Sequence, residues 1–303
     1  MPHTYFGPYD ERNQDYANSG NANLGRFALG SSLVLPDGRE YKFTLNDGTV
    51  EVAGRLYQAV AAVADHTNRP VDVARAIDAL LASATLTGTA AAVDIYAEGM
   101  LHVNNDTGEG YAYRIKRAFT AGAAHAASVA SGVLTVNFDA GEMIQVALDT
   151  TTEVTFTRNR YHQATIHLGP PTAALTGVSP GVAAADRFYW SQVKGYAAVL
   201  GSGTLLAGLP VMAGITTDGA VESVKRRVTT SGATAAATAA ASASVAILDS
   251  GGTTTGLSMV CSSTLVTGNF DISAGIAVNA PAVGMCVKAN ATTDLALVDL
   301  DIK

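Results

Sequence analysis

Residues 188–221 read FYWSQVKGYAAVLGSGTLLAGLPVMAGITTDGAV, a succession of short apolar runs separated by Gly or Asp-Gly. Residues 283–302, VGMCVKANATTDLALVDLDI, have the same character near the end of the chain. Short β-branched or apolar runs joined by tight turns are typical of compact β-barrels and β-sandwiches. We therefore predict that the two stretches pack together in one C-terminal β-domain.

The composition favours extensive contacts with other proteins. The chain has 303 residues, of which 48% are hydrophobic and only 15% are charged, against roughly 25% charged residues in ordinary soluble domains. A surface poor in charge loses less solvation when another protein covers it, so we expect large subunit contacts. A weakly charged extracellular monomer would have a similar composition.

Charge and hydropathy argue against nucleic acid and membrane partners. The net charge is −7, and an acidic chain is a poor partner for DNA because affinity rests on neutralising phosphates. No apolar stretch approaches the ~20 residues needed to cross a bilayer. The residues after Met1 form no apolar signal region, so we expect a protein used without passage through the Sec route.

The pattern along the chain predicts four stretches. Residues 1–24, rich in Asn, Tyr, Gly and Asp, form an extended arm that we expect to lie on a neighbouring subunit; a disordered tail is the alternative. Residues 25–84 form a β-meander plus a short helix and join the C-terminal body. Residues 85–165 form a separate β unit. Residues 166–303 form the C-terminal β-domain, with a low-complexity loop at 229–246.

The predicted fold class is therefore mainly β, with two small β-barrel or sandwich units, an extended N-terminal arm and at most one short helix. The meander contains strand-like runs separated by Pro-Asp-Gly and Asn-Asp-Gly, which favour turns. The runs are residues 33–35, 41–45 and 50–52. In the second unit, residues 96–103 and 110–116 predict a hairpin, and further strands follow at residues 133–138, 144–148 and 153–157.

Residues 70–84, PVDVARAIDALLASA, carry a helical pattern. Five apolar residues recur at helical spacing on one face, and Pro70 suits a first turn. These residues are Val73, Ile77, Leu80, Leu81 and Ala84. The spacing predicts a short amphipathic helix, although tertiary context can convert part of such a segment to strand.

From about Gly25 onward, the order of these segments resembles virion structural proteins of tailed bacteriophages, in particular head decoration (cement) proteins. Residues 99–115, GMLHVNNDTGEGYAYRI, are similar to the middle portion of those proteins. The low-complexity stretch 229–246 is similar to the variable loop that they insert before their last strands. The resemblance rests on patterns of Gly, aromatic and strand residues.

The resemblance implies a capsid decoration protein on the outer surface of a phage head, made in the host cytoplasm. Its expected partners are the major capsid protein and further copies of itself, as a homo-oligomer and most plausibly a homotrimer, with no direct nucleic acid contact and no membrane contact. Two alternatives stay open: another virion component, such as a head fibre or tail protein, and a carbohydrate-active β-protein.

Ser179 lies in Gly177-Val-Ser-Pro-Gly181, which matches the G-x-S-x-G pattern of α/β-hydrolases. In those enzymes the residue after Ser donates a backbone N–H to the oxyanion hole. Here that residue is Pro180, which has no N–H. The pattern therefore favours a turn, and we expect Ser179 to have no catalytic role.

No metal site is predicted. Asn104, Asp106 and Glu109 sit in the hairpin loop, but Gly108 and Glu109 occupy the wrong positions for a calcium loop, so a polar turn is expected. The six histidines show no H-x-x-x-H or H-E-x-x-H spacing. They are His3, His66, His102, His125, His162 and His167.

The remaining candidates favour structural roles. The Phe188-Tyr-Trp190 cluster could stack a sugar, but core packing of a sheet is the expected role. Two basic clusters are expected to be solvated strand faces, with a contact to an acidic protein neighbour open for the second. They are Arg114, Lys116 and Arg117, and Lys225, Arg226 and Arg227.

Cys261 and Cys286 sit in apolar runs and are expected to be buried free thiols. The sequence thus predicts no catalytic, cofactor-binding or metal-binding residues, no cofactor, and a protein that is not an enzyme.

Overall fold

The computed structural model describes residues 4–6, 27–117, 128–139, 141–224, 244–248, 254–258, 281–289 and 295–302. Two compact units divide the chain: one comprises residues 1–223 together with 280–303, and the other comprises residues 224–279. The fold is mainly β, as predicted, and its curled, largely antiparallel sheets are of the sandwich or barrel kind. The described residues contain no α-helix, only a single 3-10 turn at Ala64–His66.

The larger sheet of the first unit joins segments from both ends of the chain. Its eleven strands are β1 (Thr4–Phe6), β2 (Ser32–Val34), β3 (Glu40–Leu45), β4 (Leu56–Gln58), β11 (Thr165–Ile166), β12 (Leu175–Val178), β13 (Phe188–Leu200), β14 (Pro210–Ala213), β15 (Val221–Ser223), β18 (Ala282–Lys288) and β19 (Leu295–Asp301). The main order is β1-β2-β3-β13-β19-β18-β14-β15, and β4, β11 and β12 pair beside this path.

The long strand β13 organises this sheet. Its first half pairs antiparallel with β3, and its second half pairs antiparallel with β19. β18 joins β19 to β14. The stretches 188–221 and 283–302 therefore lie in one sheet, as the sequence predicts, and the meander strands β2 and β3 join the same body.

The larger sheet has an aromatic core and an aliphatic core. In the aromatic core, Trp190 meets Phe27 and Phe43 edge to face, with ring centroids 5.3 Å and 5.1 Å apart, and Phe43 stacks on Phe188 at 5.1 Å. In the aliphatic core, inward-facing residues of β13, β18 and β19 pack together, including Val199, Cys286 and Val298. Alternation along each strand sends these side chains to one face of the sheet.

The second part of the first unit has its own core and two small sheets. The four-stranded sheet has the order β5-β10-β7-β8. Its strands are β5 (Arg69–Pro70), β7 (Met100–Val103), β8 (Ala112–Arg114) and β10 (Glu153–Thr157). β6 (Leu81–Thr85) pairs with β9 (Val133–Asn137). The predicted hairpin is confirmed by the pairing of β7 with β8. By strand pairing this part extends over residues 69–157, against the predicted 85–165.

The predicted helix at residues 70–84 is wrong. The backbone N–H of Val71 donates to Thr152 O, that of Asp72 to Ser83 O and that of Arg75 to Leu148 O. These bonds run to distant segments, so helical propensity is overridden by tertiary pairing. As a result, the apolar residues of the predicted helix do not share one buried face. Ala84 is buried in β6, whereas Val73, Ile77 and Leu80 are exposed.

Two other predicted strands are loops. Residues 50–52 form no strand, and residues 144–148 make only isolated backbone contacts, such as the reciprocal hydrogen bonds between Arg75 and Leu148.

Of the predicted arm, the structure describes only β1, which pairs in parallel with β2 of its own chain. Of the low-complexity stretch, only residues 244–246 are described. They belong to β16 (Ser244–Leu248), which pairs with β17 (Thr254–Ser258) in the second unit.

A buried ionic contact joins the two parts of the first unit. The carboxylate of Glu98 accepts a hydrogen bond from the backbone N–H of Leu29 at 2.8 Å. Arg117 Nε lies 2.9 Å from Glu98 Oε1, and the same guanidinium donates to the carbonyl of Phe27. The turn at residues 27–30 is thereby held against the small sheets. Breaking such a buried pair leaves an uncompensated charge.

Candidate functional site

A small cleft lies where the loop after β4 meets the end of β10. Its volume is about 100 Å³. The loop residues Ala59–Val63 form an apolar wall, Tyr96 and Phe156 contribute aromatic surface, and residues 157–160 form a polar wall. Strand β10 ends at Thr157, so the chain leaves the small sheet there, and its next three residues line the cleft.

A chain of hydrogen bonds backs this cleft. His66 Nε2 lies 2.9 Å from the carbonyl oxygen of Thr89. Because a carbonyl only accepts, Nε2 carries the hydrogen. His66 Nδ1 therefore accepts a hydrogen bond from the phenol O–H of Tyr96. This assignment of the tautomer follows from the partners.

The chain of hydrogen bonds ends on Arg158. The guanidinium of Arg158 hydrogen bonds the Tyr96 oxygen, and its Nη1 donates to Gln163 Oε1 at 3.2 Å. Burial raises the pKa of Tyr96 to about 12, and the charge of Arg158 opposes that rise. Burial also lowers the pKa of Arg158. The phenol therefore stays protonated at neutral pH and can donate to His66 while it accepts from Arg158.

Arg158 is a cation without an acidic partner in the described part of the chain. Its Nε is buried and makes no hydrogen bond, and no carboxylate within the described residues forms an ion pair with it. The neighbouring polar groups are occupied. Arg160 Nε donates to Leu175 O at 2.8 Å, and Asn159 Nδ2 donates to Glu98 O at 3.2 Å.

The outward face of β13, β19 and β18 is a second candidate site. In register, Tyr196 lies opposite Asp299, and Asp299 lies opposite Met285. Directly opposed residues point to the same face. Tyr196 is 60% exposed, Met285 51% and Leu295 44%. We call this surface, with the partly buried Leu297, the outer face. Lys194, Lys288 and Asp301 border it, and Asp299 lies within it, between Tyr196 and Met285.

A buried carboxyl lies at the edge of the larger sheet. Glu51 is 1% exposed, while its neighbours Val50 and Val52 point outward. Burial raises the pKa of Glu51 to about 8, and nearby Tyr189 and Ser179 partly offset the rise. Neither carboxyl oxygen meets the geometry of a full hydrogen bond. Protonation is thus the main way in which the fold accommodates this group.

Ser179 is buried beside this carboxyl. Its Oγ donates to the carbonyl of Gly181 at 2.6 Å, and its backbone N–H donates to Arg55 O at 3.0 Å. Gly177 and Val178 end strand β12, the chain bends at Pro180 and Gly181, and the hydroxyl of Ser179 is engaged with backbone.

Carboxylates of the hairpin loop and of the neighbouring segment before β10 act as turn acceptors. Asp149 Oδ1 accepts from the hydroxyl of Thr151 at 2.7 Å and from its backbone N–H at 2.9 Å. These hydrogen bonds lower the pKa of Asp149 to about 2. Asp106 contacts the same Thr151 hydroxyl. In the described residues, no group of three or more His, Cys, Asp or Glu side chains is placed to hold a metal ion.

The described histidines are bonded to different parts of the molecule. His102 Nε2 lies 3.0 Å from Thr157 Oγ1 on the adjacent strand. His167 Nδ1 accepts from the backbone N–H of Gly219 at 2.6 Å, and His167 Nε2 lies 3.1 Å from Gly214 O. His162 is buried. His3 and His125 lie outside the described residues.

The other residues that the sequence singles out are the aromatic cluster, the basic clusters and the cysteines. Core packing of Phe188 and Trp190 is confirmed. Arg114 and Arg117 face Glu98 at 3.6 Å and 2.9 Å, so this cluster partly neutralises a buried carboxylate. Cys286 is a buried free thiol, as expected. Cys261 and the cluster at residues 225–227 lie outside the described residues.

Among the residues that the structure describes, no helix combines the length and the hydrophobicity that crossing a bilayer requires. No protein-family model matches the chain. No curated protein and no solved structure matches it either. The case for a function therefore rests on the residues and on their geometry.

Sequence reasoning missed the cleft. The sequence offers only the spacing of His66 to other histidines, Tyr96 begins one predicted strand, and Arg158 follows another. Their contact depends on how the loop after β4 folds over the end of β10. No local pattern reports such a contact.

Proposed function

We propose that this chain is a structural protein of a phage head that decorates and stabilises the capsid lattice through protein–protein contacts. The observation that carries the proposal is the outer face, where Tyr196, Met285 and Leu295 are exposed on a rigid antiparallel sheet. The resemblance to head decoration proteins supplies the class of partner, which is the major capsid protein.

The chemistry of the outer face fits a contact with protein. Covering the exposed part of a side chain such as Met285 or Leu295 stabilises a complex by roughly 1 kcal/mol each. The border of Lys194, Lys288 and Asp301 resembles the polar rim of a protein interface. The low content of charged residues, 15% of the chain, keeps the desolvation cost of such a contact small.

The proposed action is mechanical. A protein that binds the assembled lattice but not free subunits stabilises the lattice by mass action. The proposed location is the outer surface of the capsid in the virion. Self-association, most plausibly as a homotrimer, would present several outer faces to the lattice at once and raise avidity.

Binding to purified heads tests the proposal. Heads lacking this chain are incubated with the purified protein, sedimented and analysed for bound copies. We expect saturation at a copy number comparable with that of the major capsid protein. Met285→Lys combined with Leu295→Lys should lower the affinity at least about tenfold, because two ammonium groups would be desolvated at the contact.

The matched control is Val73→Lys combined with Ile77→Lys, which places the same charges on exposed apolar residues of the small-sheet part. This control should bind heads like the unchanged protein, and the emission of Trp190 checks folding of both variants. Failure of the unchanged protein to bind heads, or binding to tails instead, would overturn the proposal. Loss of binding in the control alone would overturn the assignment of the outer face.

A further inference from the structure

We propose that the cleft at Arg158 is a binding site for a carboxylate group. The inference is independent of the proposed capsid role, because it concerns a different surface and is tested on the isolated protein. Three features carry it: an unpaired guanidinium, the hydrogen bonds that hold this guanidinium in place, and the apolar wall opposite it.

The charge of Arg158 calls for an anion. The described residues contain no carboxylate paired with this guanidinium, and its buried Nε has no acceptor. A buried N–H without an acceptor is costly, as is a half-buried cation without a counter-charge. A carboxylate bound in the cleft supplies the missing counter-charge.

The hydrogen bonds behind Arg158 fix its position before any ligand arrives. The sequence of donors runs from Arg158 to Tyr96, from Tyr96 to His66 Nδ1 and from His66 Nε2 to Thr89 O. Gln163 holds Nη1 from the other side. A guanidinium held in this way loses little side-chain entropy on binding, so more of the contact energy appears as affinity.

The size and lining of the cleft select the class of anion. A volume of about 100 Å³ accepts a group of a few heavy atoms. Ala59–Val63 and Phe156 offer apolar surface to a short alkyl chain, while the planar guanidinium matches the two oxygens of a carboxylate. This combination favours a short aliphatic carboxylate over inorganic phosphate, which has no apolar part for the wall to contact.

Butyrate is the probe, and amide NMR of the full chain is the measurement. We expect saturable shifts of the resonances of residues 59–63 and 157–160. Butyramide, which has the same shape without the charge, and inorganic phosphate should each bind at least about tenfold more weakly.

Arg158→Gln should lower the affinity for butyrate about tenfold or more, because it removes the charge. The matched control Arg55→Gln removes an arginine that hydrogen bonds the carbonyl of Asp218 elsewhere on the surface, and it should bind butyrate normally. Tyr96→Phe tests positioning: it keeps Arg158, and it should weaken binding less than Arg158→Gln does. Trp190 emission and circular dichroism verify that each variant is folded.

A competition experiment separates the two sources of a carboxylate. If butyrate displaces the protein from phage heads, the natural ligand is an acidic side chain of the partner protein. If butyrate binds without displacing it, the ligand is a free small carboxylate. Both results support the site. Absence of butyrate binding, equal binding by Arg158→Gln, or equal binding of butyramide or phosphate would overturn it. The overturning results come from the isolated protein and do not bear on the outer face.

Discussion

Glu51 illustrates how position alone changes the chemistry of a residue. In the run Val50-Glu51-Val52, alternation would send the valines inward if the segment were a strand. The segment is a loop instead, and the backbone N–H of Glu51 donates to Ala183 O at 2.8 Å. The carboxyl consequently turns inward beside Tyr189, and the two valines point into solvent. No feature of the local sequence predicts this reversal, because it depends on the loop that contains Ala183.

The contribution of Glu51 to the stability of the protein should fall as the pH rises from about 4.5 to about 8. The pKa of Glu51 is about 8 in the folded state, against an ordinary value of 4.5. Between these values the folded state binds more protons than the unfolded state, so the free energy of unfolding decreases with pH. Below this window both states are protonated, and above it the loss is complete. Glu51→Gln cannot ionise and should be more stable than the unchanged protein at pH 8, by roughly 2 to 4 kcal/mol.

Urea unfolding followed by Trp190 fluorescence at pH 5, 6.5 and 8 measures this effect. The matched control Glu109→Gln removes an exposed carboxyl and should leave the pH dependence unchanged. A stability difference between Glu51→Gln and the unchanged protein that is the same at pH 5 and pH 8 would contradict the prediction.

The elements differ in how far the sequence could predict them. Strands β3, β7, β10, β13 and β19 were predictable because each carries an apolar run and is bounded by turn residues. The segment at 70–84 was not, because its backbone partners are Thr152, Ser83 and Leu148. A helical repeat of apolar residues predicts only the conformation that the segment would adopt in the absence of tertiary contacts. The cleft at Arg158 was unpredictable for the same reason, since three distant segments meet there.

The antiparallel pairing of β12 with β13 depends on a glycine. Gly177 has a φ of +136°, and a Cβ at this position would lie 2.7 Å from the carbonyl oxygen of Gln192. Gly177→Ala should therefore destabilise the protein by about 2 to 4 kcal/mol, through backbone strain and through displacement of β13. The shift of the urea midpoint measures it.

Gly48→Ala provides the matched comparison. Gly48 has no strained φ, and nothing lies within 4 Å of its added Cβ. This variant should unfold at the same urea concentration as the unchanged protein, or slightly above it. Equal midpoints for Gly177→Ala and Gly48→Ala would show that the pairing of β12 with β13 tolerates a side chain.

At the scale of the whole molecule, the last strands complete a sheet that begins near the N-terminus. β19 pairs with seven residues of β13, from Lys194 to Leu200. A chain ending at residue 280 lacks both β18 and β19 and would expose the aliphatic core around Val199. We expect this truncated chain to be insoluble, because it leaves a long edge strand and an apolar face uncovered.

Solubility and the emission of Trp190 check this expectation, with the full-length chain prepared in parallel. Trp190 is buried among Phe27 and Phe43, so loss of the sheet should shift its emission to longer wavelength. A soluble chain of residues 1–280 with native emission would mean that the last strands are dispensable.

β14 pairs with β15 on one side and with β18 on the other. The chain therefore leaves the sheet at Ser223 and re-enters it at Ala282 on opposite flanks of the same strand. The strand pairs that the structure describes in the first unit are formed without the intervening residues. Their number and composition can consequently vary, or be replaced by a foreign sequence, while the body keeps its pairing. The strand pairing thus leaves an insertion point between Ser223 and Ala282, at which the sequence can change without altering the paired strands of the body.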